Sequence, residues 1–317
     1  MNNLSVNQIL SAEFTLYESN PVIKNSGASP IVADPSLLTP DKSPDGLWHI
    51  FYHTTFGVWH ASSADGIKFG KETKICPRAM RPDINYVDGK YLLYYEHTRP
   101  LLFNALNIAG LAKWNSEIYV TESEDLVNWS EPEAVITHTR EYEKSERGVS
   151  ISNPFLLKTD DEYRLYYSCG LTFIKDCGFC EPTYISLARS NSPVSGFVSE
   201  EKPIISPDPA GRYTNLCSGC LKVCKASDGF IGIQNGIYSL EGESRSAIML
   251  LTSRDGISFE FAKMLLEPYP AINWMAQYVY ASHLVKYGDE LRLYFNARNR
   301  ADMLRGRECI GFARAKI

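Results

Sequence analysis

Five times along the chain, a tight acidic turn is followed by an aromatic-rich apolar run. The turns are Asp45-Gly46, Asp88-Gly89, Asp160-Asp161, Asp228-Gly229 and Gly288-Asp289. Asp-Gly between alternating apolar segments signals a hairpin, because both residues tolerate the positive φ of a primed turn. The strands after the turns read LWHIFYHT, KYLLYYEHT, EYRLYYSCG, GFIGIQNGIYS and ELRLYFNAR. A third strand follows in each unit, and four of these end in a Ser-containing turn and an aromatic: Phe69, Trp129, Phe197 and Phe259. Each unit is a supersecondary element that cannot bury its faces alone. Four-stranded units repeated five times predict an all-β five-bladed β-propeller, a single domain over residues 1–317. The competing architecture is a β-sandwich with coincidentally similar turns. The last unit stops at its third strand. Residues 14–23 (FTLYESNPVI) resemble the fourth strands WSEPEAVI and SEEKPII. They are expected to cross over, complete the last blade and cover its open edge.

Composition narrows the function. With 32 Lys+Arg against 37 Asp+Glu the net charge is −5, which argues against a nucleic-acid binder working through phosphate neutralisation. No run approaches the roughly 20 apolar residues of a membrane span, so no membrane partner is expected. The start, MNNLSVNQILSAEF, lacks a basic segment followed by an apolar one, so a cytoplasmic location is expected. Eight Cys fit a reducing compartment, where thiols are free, catalytic or metal-bound.

Strand polarity then sorts the chemistry. In a propeller the start of the innermost strand, the end of the second strand and the loop from the second to the third share one face. That face collects Asp34, His53, Asp83, Glu96, His97, Arg99, Asn153, Cys169, Cys177, Cys180, Glu181, Cys217, Cys220, Tyr280, Asn296 and Arg298. Its loops, residues 97–116, 137–150, 169–182 and 298–307, are long, as loops that hold a site on a rigid scaffold usually are.

Ala33-Asp34-Pro35-Ser36 opens the first inner strand, and Arg81-Pro82-Asp83-Ile84 opens the second, before Asp-Gly-Lys-Tyr-Leu-Leu-Tyr-Tyr. These motifs resemble the five-bladed glycoside hydrolases of families 43, 32, 68, 62 and 130. The resemblance covers the whole chain through the blade repeat and is motif-level in the first two blades. It implies a glycosidase, or in family 130 a phosphorylase, with a carboxylate-lined axial pocket and no required cofactor. In family 43 the Asp of the first-blade motif is the general base, and the matching residue is Asp34. The chain departs from that family in blade three, which has Asn153-Pro154 in place of Asp-Pro. It departs again in blade four, where Cys217-Ser-Gly-Cys220 replaces the general-acid Glu.

Glycosidases need two carboxyl groups flanking the scissile bond, one of them protonated near neutral pH. Asp83, Glu96 and Glu181 are candidates beside Asp34, with Asp83 the partner by motif. Asp83 could equally cap hub donors, and Glu96 could pair with Arg81 or Arg99. Arg81, His97, Arg99, Asn153, Glu181, Tyr280 and Arg298 are the candidate substrate contacts. The arginines suit carboxylate or phosphate recognition as well as ordinary ion pairs. Trp59, Trp114 and Trp274 could stack on a sugar or pack between blades. Cys177, Cys180, Cys217 and Cys220 form two C-x-x-C pairs in adjacent blades, a candidate structural zinc site or else buried core thiols. The alternatives to glycoside hydrolysis are a non-catalytic glycan-binding or polysaccharide-pathway propeller and a phosphorylase using the Arg-rich face.

Overall fold

The computed structural model describes residues 1, 3–25, 28–302 and 304–317. Five antiparallel blades of four strands follow one another along the chain, and the blade-two sheet is extended by the hairpin Lys144–Ser145 with Gly148–Val149, whose second strand pairs parallel with Trp114 and Asn115. Blade one comprises Ala33–Leu38, Trp48–Thr54, Gly57–Ser63 and Thr73–Cys76; blade two Ala79–Val87, Lys90–Thr98, Trp114–Ser123 and Glu133–Ile136. Blade three is Ile151–Lys158, Tyr163–Cys169, Tyr184–Ser190 and Val198–Ser199; blade four Cys217–Lys225, Phe230–Leu240, Glu243–Ser253 and Glu260–Leu266. Blade five takes Tyr278–Tyr287, Glu290–Arg298 and Glu308–Lys316 from the end of the chain and Thr15–Leu16 from its start. Thr15 pairs with Arg314 and Leu16 with Ala313, and Ile23 bridges to Ile310. The ring is therefore closed by the N-terminal strand, as the fourth-strand likeness predicts. Among the described residues no helix is long and apolar enough to cross a membrane.

Both faces of the second strands are buried because each blade packs on two neighbours. In Trp48–Thr54, Ile50 and Tyr52 enter the core shared with blade five, while Phe51 enters the core shared with blade two. The repeated turns lock these contacts. Asp65, Asp125 and Asp255 each accept two backbone N–H groups within their own turns. The turn backbone also receives a tyrosine from the preceding blade: Tyr294 donates to Gly66 O at 2.8 Å, and Tyr166 to Gly256 O at 2.7 Å. Tyr94 donates likewise to Pro193 O.

Two of the elements outside the blade repeat shape the loop face. The blade-two loop forms a helix, Leu101–Ile108, and the blade-three loop forms a hairpin, Thr172–Ile174 with Phe179–Glu181. Both stand on the face that carries the long loops.

Candidate active site

The inner strands share one irregularity. Pairing with the second strand slips by one residue in every blade, at 33–36, 80–83, 152–155, 217–220 and 279–282. A bulge of this kind bends the strand and re-aims the extra residue. Asp34, Arg81 and Asn153 occupy the slip at φ 54°, 52° and 48°, each before a proline, and blade four places Gly219 there at φ 66°. Left-handed backbone is costly for a non-glycine residue and tends to be kept where function requires it. At Gly219 a Cβ would lie 2.0 Å from Asn235 O, so only glycine fits.

These bulges line an axial cavity of about 200 Å³. Asp34, Arg81, Asn153, Gly219 and Tyr280 meet His53, Glu181, Arg298 and Glu308 in its wall, with Trp114 and Phe179 also lining it. Below the ring the hub is filled. The Asp83 carboxylate receives Leu156 N at 2.9 Å, Asn85 Nδ2 at 2.7 Å and Ser36 Oγ at 3.4 Å, and faces Lys222 Nζ at 3.7 Å. Those partners come from four of the blades.

Asp83 is therefore not in the cavity wall. Proline defines the equivalence: Arg81, not Asp83, is the counterpart of Asp34. Glu96 is fully buried behind the wall, paired with Arg81 Nη1 and receiving Trp114 Nε1 at 3.2 Å. His97 packs on Tyr119, with ring centroids 4.4 Å apart, and Arg99 is exposed on the following loop; neither lines the cavity.

Three carboxyl groups do line it. Asp34 Oδ2 lies 3.2 Å from His53 Nδ1, which also sits 3.3 Å from the Arg81 backbone N. Protonated, this nitrogen donates to the carboxylate; bare, it accepts from the amide. Burial alone would raise the Asp34 carboxyl, but the His53 hydrogen bond and charge, with Arg81, hold it below its ordinary value. Glu181 ends the hairpin strand Phe179–Glu181. The chain after it is pinned to blade four, because Ser218 N donates to Thr183 O and Gly219 N to Pro182 O. The hairpin itself is held by Ser244, which donates to Asp176, and by a Cys177–Tyr278 contact at 2.9 Å. Burial, with Glu308 and Asp34 adding to it, pushes the Glu181 carboxyl up to about 7 against the pull of Arg81 and Arg298. Glu308 opens the third strand of blade five and receives Arg298 Nη1 at 3.0 Å and Asn296 Nδ2 at 3.1 Å. Sequence reasoning followed the first two strands of each blade and the loops, so it missed Glu308.

The four C-x-x-C thiols do not assemble as a metal site. Cys180 and Cys220 line the cavity, while Cys177 is turned to Tyr278 and Ser244. Burial pushes the Cys177 thiol up to about 11 and the Cys220 thiol to about 12. Among the described residues no group of three or more His, Cys, Asp or Glu side chains is placed to hold a metal ion.

No family model matches the sequence, and no curated protein does. Solved structures match over nearly the whole chain. One is an N-acetylgalactosamine deacetylase from F. plautii, in complex with blood group B trisaccharide. It has a TM-score of 0.67 and 14% identity, covering 100% of this chain and 95% of that one. Another is described under family 130 mannoside phosphorylases, a family containing glycoside hydrolases that target β-1,2 mannosidic linkages in Candida mannan. Its TM-score is 0.62 at 16% identity, over 95% and 93% of the two chains. A family 43 endo-arabinanase from Bacillus licheniformis gives 0.58 at 14%, over 92% and 96%. The likeness is one of fold. The resemblance drawn from the first two blades holds at that level, for a divergent sequence.

Proposed function

We propose that this chain is a carbohydrate-active enzyme that hydrolyses a glycosidic bond in the axial cavity. The observation that carries the reading is a pair of carboxyl groups in one wall whose surroundings separate their proton affinities. Asp34 is held ionised by His53 and Arg81, and Glu181 keeps its proton to about pH 7. Such a divergence assigns base and acid in carboxylate enzymes. Glu181 gives its proton to the departing glycosidic oxygen. Asp34 takes a proton from water as the water oxygen bonds to the anomeric carbon. Fold neighbours described as glycoside hydrolases support the reading.

Phosphorolysis is less supported, because Arg298 is already committed. Its Nε, Nη1 and Nη2 donate to Arg300 O, Glu308 Oε1 and Asp302 O.

The test is turnover of a panel of aryl glycosides by wild type, Asp34→Asn and Glu181→Gln, with acetate release and phosphate dependence followed in parallel. Each variant is expected to lose about 10²–10⁴-fold in kcat/KM. Glu181→Gln should lose far less on a dinitrophenyl glycoside, whose leaving group needs no acid. Undiminished hydrolysis by Asp34→Asn, or acetate as the only product, would remove the assignment.

A further inference from the structure

The charged groups around the cavity are already paired with one another. Arg81 is held by Glu96 and Arg298 by Glu308. Counting Asp34, three carboxylates face two guanidiniums even before Glu181 ionises. A carboxylate or phosphate entering here would lose its hydration without gaining an unshared cation.

A neutral group in the wall is left without a partner. Tyr280 fills the blade-five bulge, is 8% exposed and lines the cavity, and its Oη has no hydrogen-bond partner among the described residues. Its ring is stacked on Tyr278 at 5.3 Å between centroids, so the hydroxyl is held in place rather than free to turn to solvent. A buried, unpaired hydroxyl is costly, and groups of this kind in native proteins usually answer to a ligand or water. The cavity, about 200 Å³, is small beside the roughly 300–1,000 Å³ pockets that enclose drug-sized ligands.

We infer that the cavity receives one uncharged terminal sugar unit, and that Tyr280 is the specificity-determining residue that hydrogen-bonds one of its hydroxyls. This deepens the glycosidase reading and rests on it, but it is testable by binding alone. Calorimetric titration would use neutral monosaccharides, the matching uronic acids and the matching sugar 6-phosphates, with wild type and Tyr280→Phe. A neutral sugar is expected to bind at least tenfold tighter than its uronate or phosphate. Tyr280→Phe should weaken it about tenfold without lowering the thermal midpoint of the free protein. A monodeoxy sugar lacking the contacted hydroxyl should bind both proteins alike. Tighter binding of an anionic counterpart, equal affinity of wild type and Tyr280→Phe for every sugar, or no binding by any neutral sugar would overturn the inference. Neutral-sugar binding that Tyr280→Phe weakens, without hydrolysis of any glycoside, would sink the glycosidase reading and leave the recognition role standing.

Discussion

At the scale of single residues, Glu181 joins chemistry to stability. Its carboxyl titrates near 7 when folded, against an ordinary value of 4.5. The sign follows from linkage. A raised folded value means the protonated form favours folding, so this contribution is complete below about 4.5 and is lost as pH rises to about 7. The loss amounts to about 3 kcal/mol. Glu181→Gln is therefore expected to match wild type in urea denaturation at pH 4 and to exceed it by up to about 3 kcal/mol at pH 8. Equal stability at both would place the carboxyl in an ordinary solvated setting. In wild type the same proton sets an alkaline limb near pH 7 in kcat/KM, which Glu181→Gln should lack on substrates that need no acid. Asp34, held below its ordinary value by His53 and Arg81, leaves activity intact down to the carboxylate range.

At the scale of elements, four of the five inner strands meet through Asp83. Its carboxylate ties blade two to Ser36 of blade one, the Leu156 amide of blade three and Lys222 of blade four. Removing it strands a buried ammonium. Asp83→Ala is expected to cost about 3–5 kcal/mol, and the added Lys222→Met change should recover part of that. The readout is the urea midpoint of both variants; an unshifted midpoint for Asp83→Ala would deny the hub this role. The same strands show what the sequence reveals and where it stops. Turns and aromatic alternation are local, so the blade repeat and the crossover at residues 14–23 are legible. Arg81-Pro82-Asp83 offers two charged residues two positions apart, and the bulge, not the composition, decides which one lines the cavity. The hairpin that carries Glu181 is legible only as a long loop on the right face. Glu308 depends on which third-strand residue reaches Arg298, a contact with no local pattern. The cysteine spacing reads as a metal motif, but in the structure Cys177 is engaged by Tyr278 and Ser244.

At the scale of the molecule, stability rests on closing the ring. Each blade buries its faces only against two neighbours, so an unpaired edge exposes both a strand and a core. Residues 3–23 close that edge. The helix Val6–Ser11 is capped by reciprocal bonds between Ser5 and Gln8, and Leu4, Ile9 and Ala12 enter the core between blades four and five. Lys263 Nζ donates to the Leu10 and Ala12 carbonyls, and Asp228 receives Val6 N. Asn20 then exchanges two hydrogen bonds with the Phe312 backbone before Ile23 reaches Ile310. Leu4, Ile9 and Ile23 are each buried, and such aliphatic side chains contribute about 1.5–3 kcal/mol apiece. Their joint loss is on the order of the whole stability of a typical domain. A chain starting at Lys24 is therefore expected to lose its cooperative thermal transition and to self-associate through the bare Glu308–Lys316 edge. Ile9→Ala tests the clasp without opening the ring. It should cost about 2–5 kcal/mol in urea while kcat at low temperature stays unchanged, because Ile9 lies in the core between blades four and five, does not line the cavity, and its helix is tied through Val6 to the Asp228-Gly229 turn. A truncated chain that melts cooperatively within a degree or two of the full one would mean that the four-strand completion of blade five does not hold the ring together.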